Sequence, residues 1–272
     1  MGRVLHILLE RTKPVCGMTS LDDRLYVLFG KKRSEQIEVY DLDSYSLLRC
    51  LTLPGRELGK KATIIACAHN SCAYISDPLN ESIHRVGLPH GDDVTNWPVN
   101  DKPACFSVTD THSVLVTCDQ VRKIKEFSTD GKLLREIQLP QTVTSPVHAI
   151  QLSNGQFIVC HGGYGDPVHR VCLIGSDGHV VMWYGGQRGA GSQQMDVPCH
   201  LAVDENDSVF VIDLNNSQVL LLSPKLTYIS HVVSRDELKW LPVRLFLDVQ
   251  KRRLYIADSQ WLIGGRVVVI SV

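Results

Sequence analysis

The chain has 272 residues, 44% of them hydrophobic and 21% charged, the balance of a soluble globular protein with a substantial core. Its formal net charge of −1 gives no overall pull toward nucleic acid or an anionic membrane, so electrostatic recognition has to come from how charge is distributed. No apolar run approaches the roughly 18 residues that cross a bilayer, which excludes a helical membrane protein.

In chain order, the opening MGRVLHILLE is too short in its apolar run for a signal peptide, and His6 stands where a myristoylation motif requires Ser or Thr. A recurring pattern follows. Apolar strands open at Pro14 (PVCGMTSLDDRLYVLF), Ala62 (ATIIACAHNSCAYISD), Pro103 (PACFSVTDTHSVLVTC), Pro146 (PVHAIQLSNGQFIVCH), Pro198 (PCHLAVDENDSVFVID) and Pro242 (PVRLFLDVQKRRLYIAD). Each is a strand, a polar turn and a second strand. Third strands come next: QIEVYD, SIHRVGL, KIKEFS, HRVCLIG, QVLLLS and RVVVISV. Fourth strands follow five of them: LLRCLTL, VTNWPV, LLREIQL, VVMWYGG and YISHVVS.

The starts are 41 to 52 residues apart, the period of a four-stranded propeller blade. The sixth copy ends at Val272 without its fourth strand, and RVLHILLE, residues 3–10, can supply it. The expectation is an all-β, six-bladed β-propeller in one domain, 1–272. Its blades are four-stranded and antiparallel, and the N-terminal strand closes the ring by joining the C-terminal blade.

The nine cysteines are odd in number, form no Cys-x-x-Cys pair and mostly sit in apolar strands. They read as small buried hydrophobes in a reducing compartment, and the expected location is cytoplasmic. Asp77, Asp213 and Asp258 share the strand-ending position, held by Phe29, Cys118 and His161 in the other copies. A carboxylate recurring in three copies points to a turn-building role, since a catalytic one would occur once.

The strand-starting Pro, LAVDENDSVFVID (201–213), LNNSQVLLL and FSTDGKLLREI (127–137) resemble the NHL repeat, best known from the C-terminal domains of tripartite-motif ubiquitin ligases. Blade five matches best, and the insert HGGYGDPVHR (161–170) in blade four is atypical. The resemblance implies a non-enzymatic platform that binds a protein partner, or single-stranded or stem-loop RNA, on one face. It could be the target-recognition domain of such a ligase. No RING, B-box or coiled coil lies within these residues. No cofactor or membrane is implied, and a monomeric domain is expected.

Blade topology sorts the loops. Loops between strands two and three, and between blades, form an upper face; the other turns form a lower one. The lower turns are acidic, with Asp22, Asp23, Asp41, Asp43, Asp130, Asp177, Asp204 and Asp207 among them. The upper loops are basic. The partner-binding candidates there are Lys31, Lys32, Arg33, Arg56, Lys60, Lys61, Arg122, Lys123, Arg188 and the stacking residue Trp240. Two residues into each inner strand come Cys16, Ile64, Cys105, His148, His200 and Arg244, a ring expected at the channel mouth. Cys105, His148 and His200 could bind zinc, although such residues commonly just pack at strand ends. The alternative function is a six-bladed hydrolase or lyase with a metal ion in its channel. Calcium chemistry would call for several oxygen ligands, and these ring positions offer none.

Overall fold

The structure, a computed structural model, describes residues 3–30, 36–52, 62–67, 70–88, 90–91, 93–260 and 264–272. Among them there are strands, turns and no α-helix, and therefore no helix long and apolar enough to cross a membrane. Strand β1 (Val4–Arg11) comes first. Blade one is β2 (Val15–Leu21), β3 (Arg24–Phe29), β4 (Gln36–Asp41) and β5 (Leu47–Thr52). Blade two is β6 (Ile64–Cys67), β7 (Cys72–Asp77), β8 (Ser82–Gly87) and β9 (Val94–Pro98). Blade three is β10 (Pro103–Val108), β11 (Val114–Cys118), β12 (Lys123–Phe127) and β13 (Leu133–Gln138). Blade four is β14 (Pro146–Gln151), β15 (Phe157–His161), β16 (Val168–Ile174) and β17 (Val180–Gln187). Blade five is β18 (Pro198–Val203), β19 (Val209–Asp213), β20 (Gln218–Leu222) and β21 (Tyr228–Val233).

The sixth sheet has the order β1-β24-β23-β22, with β22 (Leu241–Asp248), β23 (Arg253–Gln260) and β24 (Gly264–Ser271). The N-terminal strand therefore does pair with the C-terminal one, antiparallel, with Val4 opposite Ile270 and Leu9 opposite Val267. All six sheets are four-stranded, and the chain is a six-bladed β-propeller.

The period of two along each strand builds the core. In blade six, Tyr255, Ala257, Val267 and Val269 pack with Val15, Met18 and Leu25 of blade one. The alternate residues Leu254, Ile256, Val268 and Ile270 pack with Phe210, Ile212 and Val219 of blade five. Four further clusters fill the other blade-to-blade contacts in the same way. A blade is thus covered on both faces, and this is why second strands such as VLVTC, FIVCH and VFVID are wholly buried and apolar at all but one position each. Outer strands such as LLREIQ meet solvent and are largely exposed.

Five of the six inner strands open with a β-bulge. The register shifts between Val15 and Gly17, Pro103 and Cys105, Pro146 and His148, Pro198 and His200, and Pro242 and Arg244. This shift aims the following side chain at the channel. One ring position differs from the sequence expectation. Gly17 is opposite Leu28, as Cys105 is opposite Thr117, and the Ser76 N–H bonds to Thr63 O in blade two. Gly17 therefore takes the channel position in blade one and Cys16 lies in the core between blades one and two, whereas Ile64 does line the channel, beside Thr63, while also packing into that core. In blade one the bulge falls one residue later after the strand-opening proline than in blades three to six. A one-residue slip swaps the face a side chain occupies.

Removing residues 3–11 would strip β24 of its partner and bare Val267–Ile270, each at most 1% exposed. The expected result is a thermal midpoint lower by about 10 °C or more, or loss of a single cooperative transition. Circular dichroism melts of the two chains test this.

Candidate functional site

The strand-ending aspartates explain how the upper face is held. Asp258 is fully buried and accepts two bonds from Arg266 Nε, at 3.0 and 2.9 Å. Its Oδ2 also accepts the backbone N–H groups of Lys239 (2.8 Å) and Trp240 (3.2 Å). Arg266 in turn donates to Glu237 O at 3.1 Å. Glu237 closes the start of the same loop by accepting from Ser234 N–H and Oγ–H at 2.8 and 2.6 Å. Residues 234–240, between β21 and β22, are thus pinned from below.

Asp213 does the equivalent for blade five, accepting from Asp196 N–H, Asn216 Nδ2 and Gln218 Nε2. Asp77 accepts from Asn80 twice and sits 3.0 Å from His84 Nε2. Burial pushes Asp213 and Asp258 above the usual carboxylate range despite their donors. For Asp77 burial works in the same direction, but the Asn80 and His84 bonds outweigh it and hold the group low. All three carboxylates are engaged in building turns and loops, the role the repeat pattern suggested.

The pinned loop lines a cavity of about 500 Å³ on the upper face, where blades five, six and one meet. Its apolar lining includes Leu214, Leu238, Leu241 and Val243, with Trp240 and the blade-four residue Tyr164 beside them. Arg235, Lys239 and Arg244 supply charge, and among the described residues no Asp or Glu lines it. The Lys239 ammonium lies 4.7 Å from the centre of the Trp240 ring. Tyr164 reaches the site from the atypical insert. That insert turns at Gly162 (φ +108°), where a Cβ would strike the His169 ring at 2.4 Å. Arg188 Nη1 donates to Tyr164 O at 2.7 Å.

The ten basic and aromatic candidates divide sharply. Lys31, Lys32, Arg33, Arg56, Lys60 and Lys61 lie outside the described residues. Lys123 is paired with Glu136 at 2.8 Å, and Arg188 with Asp196 at 2.9 Å. Arg122 occupies a turn with φ 51°, and its carbonyl accepts from Leu139 N–H and Gln138 Nε2. Of the four candidates among the described residues, Trp240 alone lines the cavity. Charge on Arg235 and Lys239 was visible in the sequence, but their convergence with Arg244 depends on loop geometry.

Below this cavity lies the channel, a space of about 290 Å³ lined by Gly17, Thr63, Cys105, His148, His200 and Arg244 among others. Cys105, His148 and His200 do converge, each offering an atom within 4.8 Å of the others. The His148 and His200 rings are 4.2 Å apart and tilted by 32°. Their polarity, however, suits a cation poorly. His148 Nδ1 accepts the Leu201 N–H at 3.1 Å, and His200 Nδ1 accepts the Leu245 N–H at 3.4 Å. Each neutral ring therefore carries its proton on Nε2. A metal-bound histidine needs the opposite arrangement, with the nitrogen away from the metal donating. Burial also lifts the Cys105 thiol above its usual range, and Arg244 adds a nearby positive charge.

On the lower face, the acidic turns are internally satisfied. Asp41 accepts from Ser44, and Asp204 from Asn206 and Ser208. Lys251 bridges Asp23 and Asp43 at 3.2 and 2.8 Å. None of the eight cysteines whose side chains are described is in a disulfide.

No family model matches the chain, and no curated protein matches it. Solved structures match in fold. The β-propeller domain of Cps50 (Swd1) from Myceliophteria thermophila aligns with a TM-score of 0.67 at 8% identity, over 100% of both chains. Virginiamycin B lyase from Staphylococcus aureus aligns at 0.63 and 11% identity, over 100% of this chain and 88% of its own. A Bacteroides caccae protein of unknown function aligns at 0.64 and 13% identity, over 88% and 84%. Identities this low place the chain among β-propellers and carry no activity across. The NHL resemblance remains a reading of the repeat residues.

Two outcomes follow from these contacts. Asp258→Asn removes the countercharge of a buried guanidinium and should cost about 3–5 kcal/mol in urea unfolding, with faster proteolysis at residues 234–241. Burial, followed by the Arg244 charge, pulls His148 down to about 3, and burial pulls His161 down to about 4. The unfolded chain takes up these protons near pH 6.5, so stability is unaffected above that value and falls as pH drops toward the folded values. Each ring contributes up to about 1.4 kcal/mol per pH unit. Urea midpoints against pH should show this acid limb. His148→Asn, which can still accept the Leu201 N–H, should flatten it.

Proposed function

We propose that this propeller is a non-catalytic binding platform whose upper face seats an acidic, apolar-tipped segment of a protein partner in the cavity beside Trp240. The observation that carries this reading is the lining itself: Arg235, Lys239 and Arg244 surround an apolar floor, with no carboxylate among the described residues. A pocket with an aromatic anchor, an apolar floor and one sign of charge suits a peptide side chain flanked by Asp or Glu. An RNA track would need a run of uncompensated cations, whereas Lys123 and Arg188 already hold carboxylates. The NHL resemblance supports the same class, including a target-recognition role within a ligase.

A non-catalytic reading also accords with the channel. No Asp or Glu is among its lining residues, and His148 stays neutral to about 3, far from the range a general acid or base uses at neutral pH.

Selection from a displayed random peptide library should enrich Asp and Glu around an aromatic or aliphatic residue. Trp240→Ala should weaken the enriched peptide about tenfold or more, and Arg235→Glu with Lys239→Glu should remove its salt dependence. An RNA pool retained at low salt and lost in the same variants would replace this reading with nucleic-acid recognition.

A further inference from the structure

We infer that the central channel is a receptor for a carboxylate group, held by His148 Nε2–H, His200 Nε2–H and the Arg244 guanidinium. The inference stands on the channel alone and goes beyond the peptide cavity above it. Three features carry it. Both imidazoles are locked in one tautomer by backbone N–H groups of the next blade, so each presents a donor on Nε2. His148 Nε2 is buried without a hydrogen bond of good geometry, its ring having only a weak backbone contact to Phe106, and His148 is 2% exposed. Arg244 Nε is likewise buried without an acceptor. Its Nη1 is spent on Val243 O at 2.7 Å, and it makes no ion pair among the described residues. Donors and a positive charge thus line one space, and no Asp or Glu is among its lining residues.

A buried donor without an acceptor costs free energy that a ligand acceptor recovers. One guanidinium matches one negative charge, and its planar fork matches the two oxygens of a carboxylate. Phosphate as a dianion would leave a charge uncompensated. The space of about 290 Å³ admits only a small group. Arg244 lines both this space and the upper cavity, so the entrance is from the upper face. The carboxylate belongs either to a small free acid or to the end of a chain reaching down from above.

The test uses the whole protein with ¹⁵N-labelled histidine, followed by NMR of the ring nitrogens. Acetate and succinate represent free acids, and a short peptide with a free or amidated C-terminus represents the tethered source. Chloride and inorganic phosphate are run beside them. A carboxylate should move the Nε2 signals of His148 and His200 saturably, while Nδ1 stays an acceptor. Arg244→Gln, checked for fold by circular dichroism, should weaken this about tenfold or more.

Ring signals unmoved by every carboxylate, or moved equally in Arg244→Gln, would overturn the inference. So would chloride or phosphate saturating the site more tightly than acetate. Stoichiometric zinc binding lost in Cys105→Ser would show the polarity to be the reverse. Acetate is too small to fill the upper cavity, so this outcome is independent of whether peptides bind there.

Discussion

A propeller has no central core. Its hydrophobic interior is a set of layers between blades, so each blade needs two neighbours, and the ring must close. In this chain closure is made by backbone hydrogen bonds between β1 and β24, the two ends of the sequence. The consequence reaches well beyond the seam. Val267 and Val269 face blade one, while Val268 and Ile270 face blade five, so β24 contributes to two layers at once. Leaving it as an open edge would expose a long, apolar, β-branched strand, the kind most prone to pair with another molecule. Closure also fixes where Arg244 and the 234–240 loop lie relative to blades one and five, on which both cavities depend.

Within that rigid frame, a single buried residue connects the fold to the proposed site. Asp258 lies near the end of β23 and joins Arg266 of β24 to the N–H groups of Lys239 and Trp240. Loops on the surface are ordinarily mobile because few contacts restrain them. Here the loop carrying the aromatic anchor is tied to the most buried strands of the blade, through charge-assisted bonds that low surrounding polarity strengthens. The recognition surface is thereby preorganised, which reduces the ordering cost of binding. The same position in blade four holds His161, whose ring has only a weak backbone contact to Thr144, and there the upper loops carry a Gly-rich insert instead. A carboxylate at this position and a tethered upper loop go together in blades five and six.

Much of the architecture was legible in the sequence because blade packing leaves a local signature. Strand-opening prolines, apolar second strands and polar turns recur at blade spacing, and the incomplete sixth copy identified its missing strand. The channel ring was legible only in part. Ile64, Cys105, His148, His200 and Arg244 do line it, but Gly17 replaces Cys16 because the blade-one bulge falls one residue later after its proline. Charge was harder still to interpret. Lys123 and Arg188 look like uncompensated cations until Glu136 and Asp196 are brought beside them by pairing and loop closure. Trp240 could be singled out as a stacking aromatic of the upper loops, whereas its partnership with Arg235 and Leu238 comes from a loop conformation that no periodicity encodes.

The channel shows most directly why residue type alone misleads. Cys, His and His in consecutive blades suggest a soft metal site, and their atoms do come within 4.8 Å. What decides the matter is the backbone behind them. The bulges that open β14 and β18 turn their histidines toward the channel, and the next blade's strand then offers an N–H to Nδ1. Accepting that bond commits the ring to protonation at Nε2. Two rings so committed, next to a guanidinium, form a surface that repels cations and attracts an acceptor. The ligand class is therefore set by propeller geometry acting on tautomers, one step removed from the side chains that line the site.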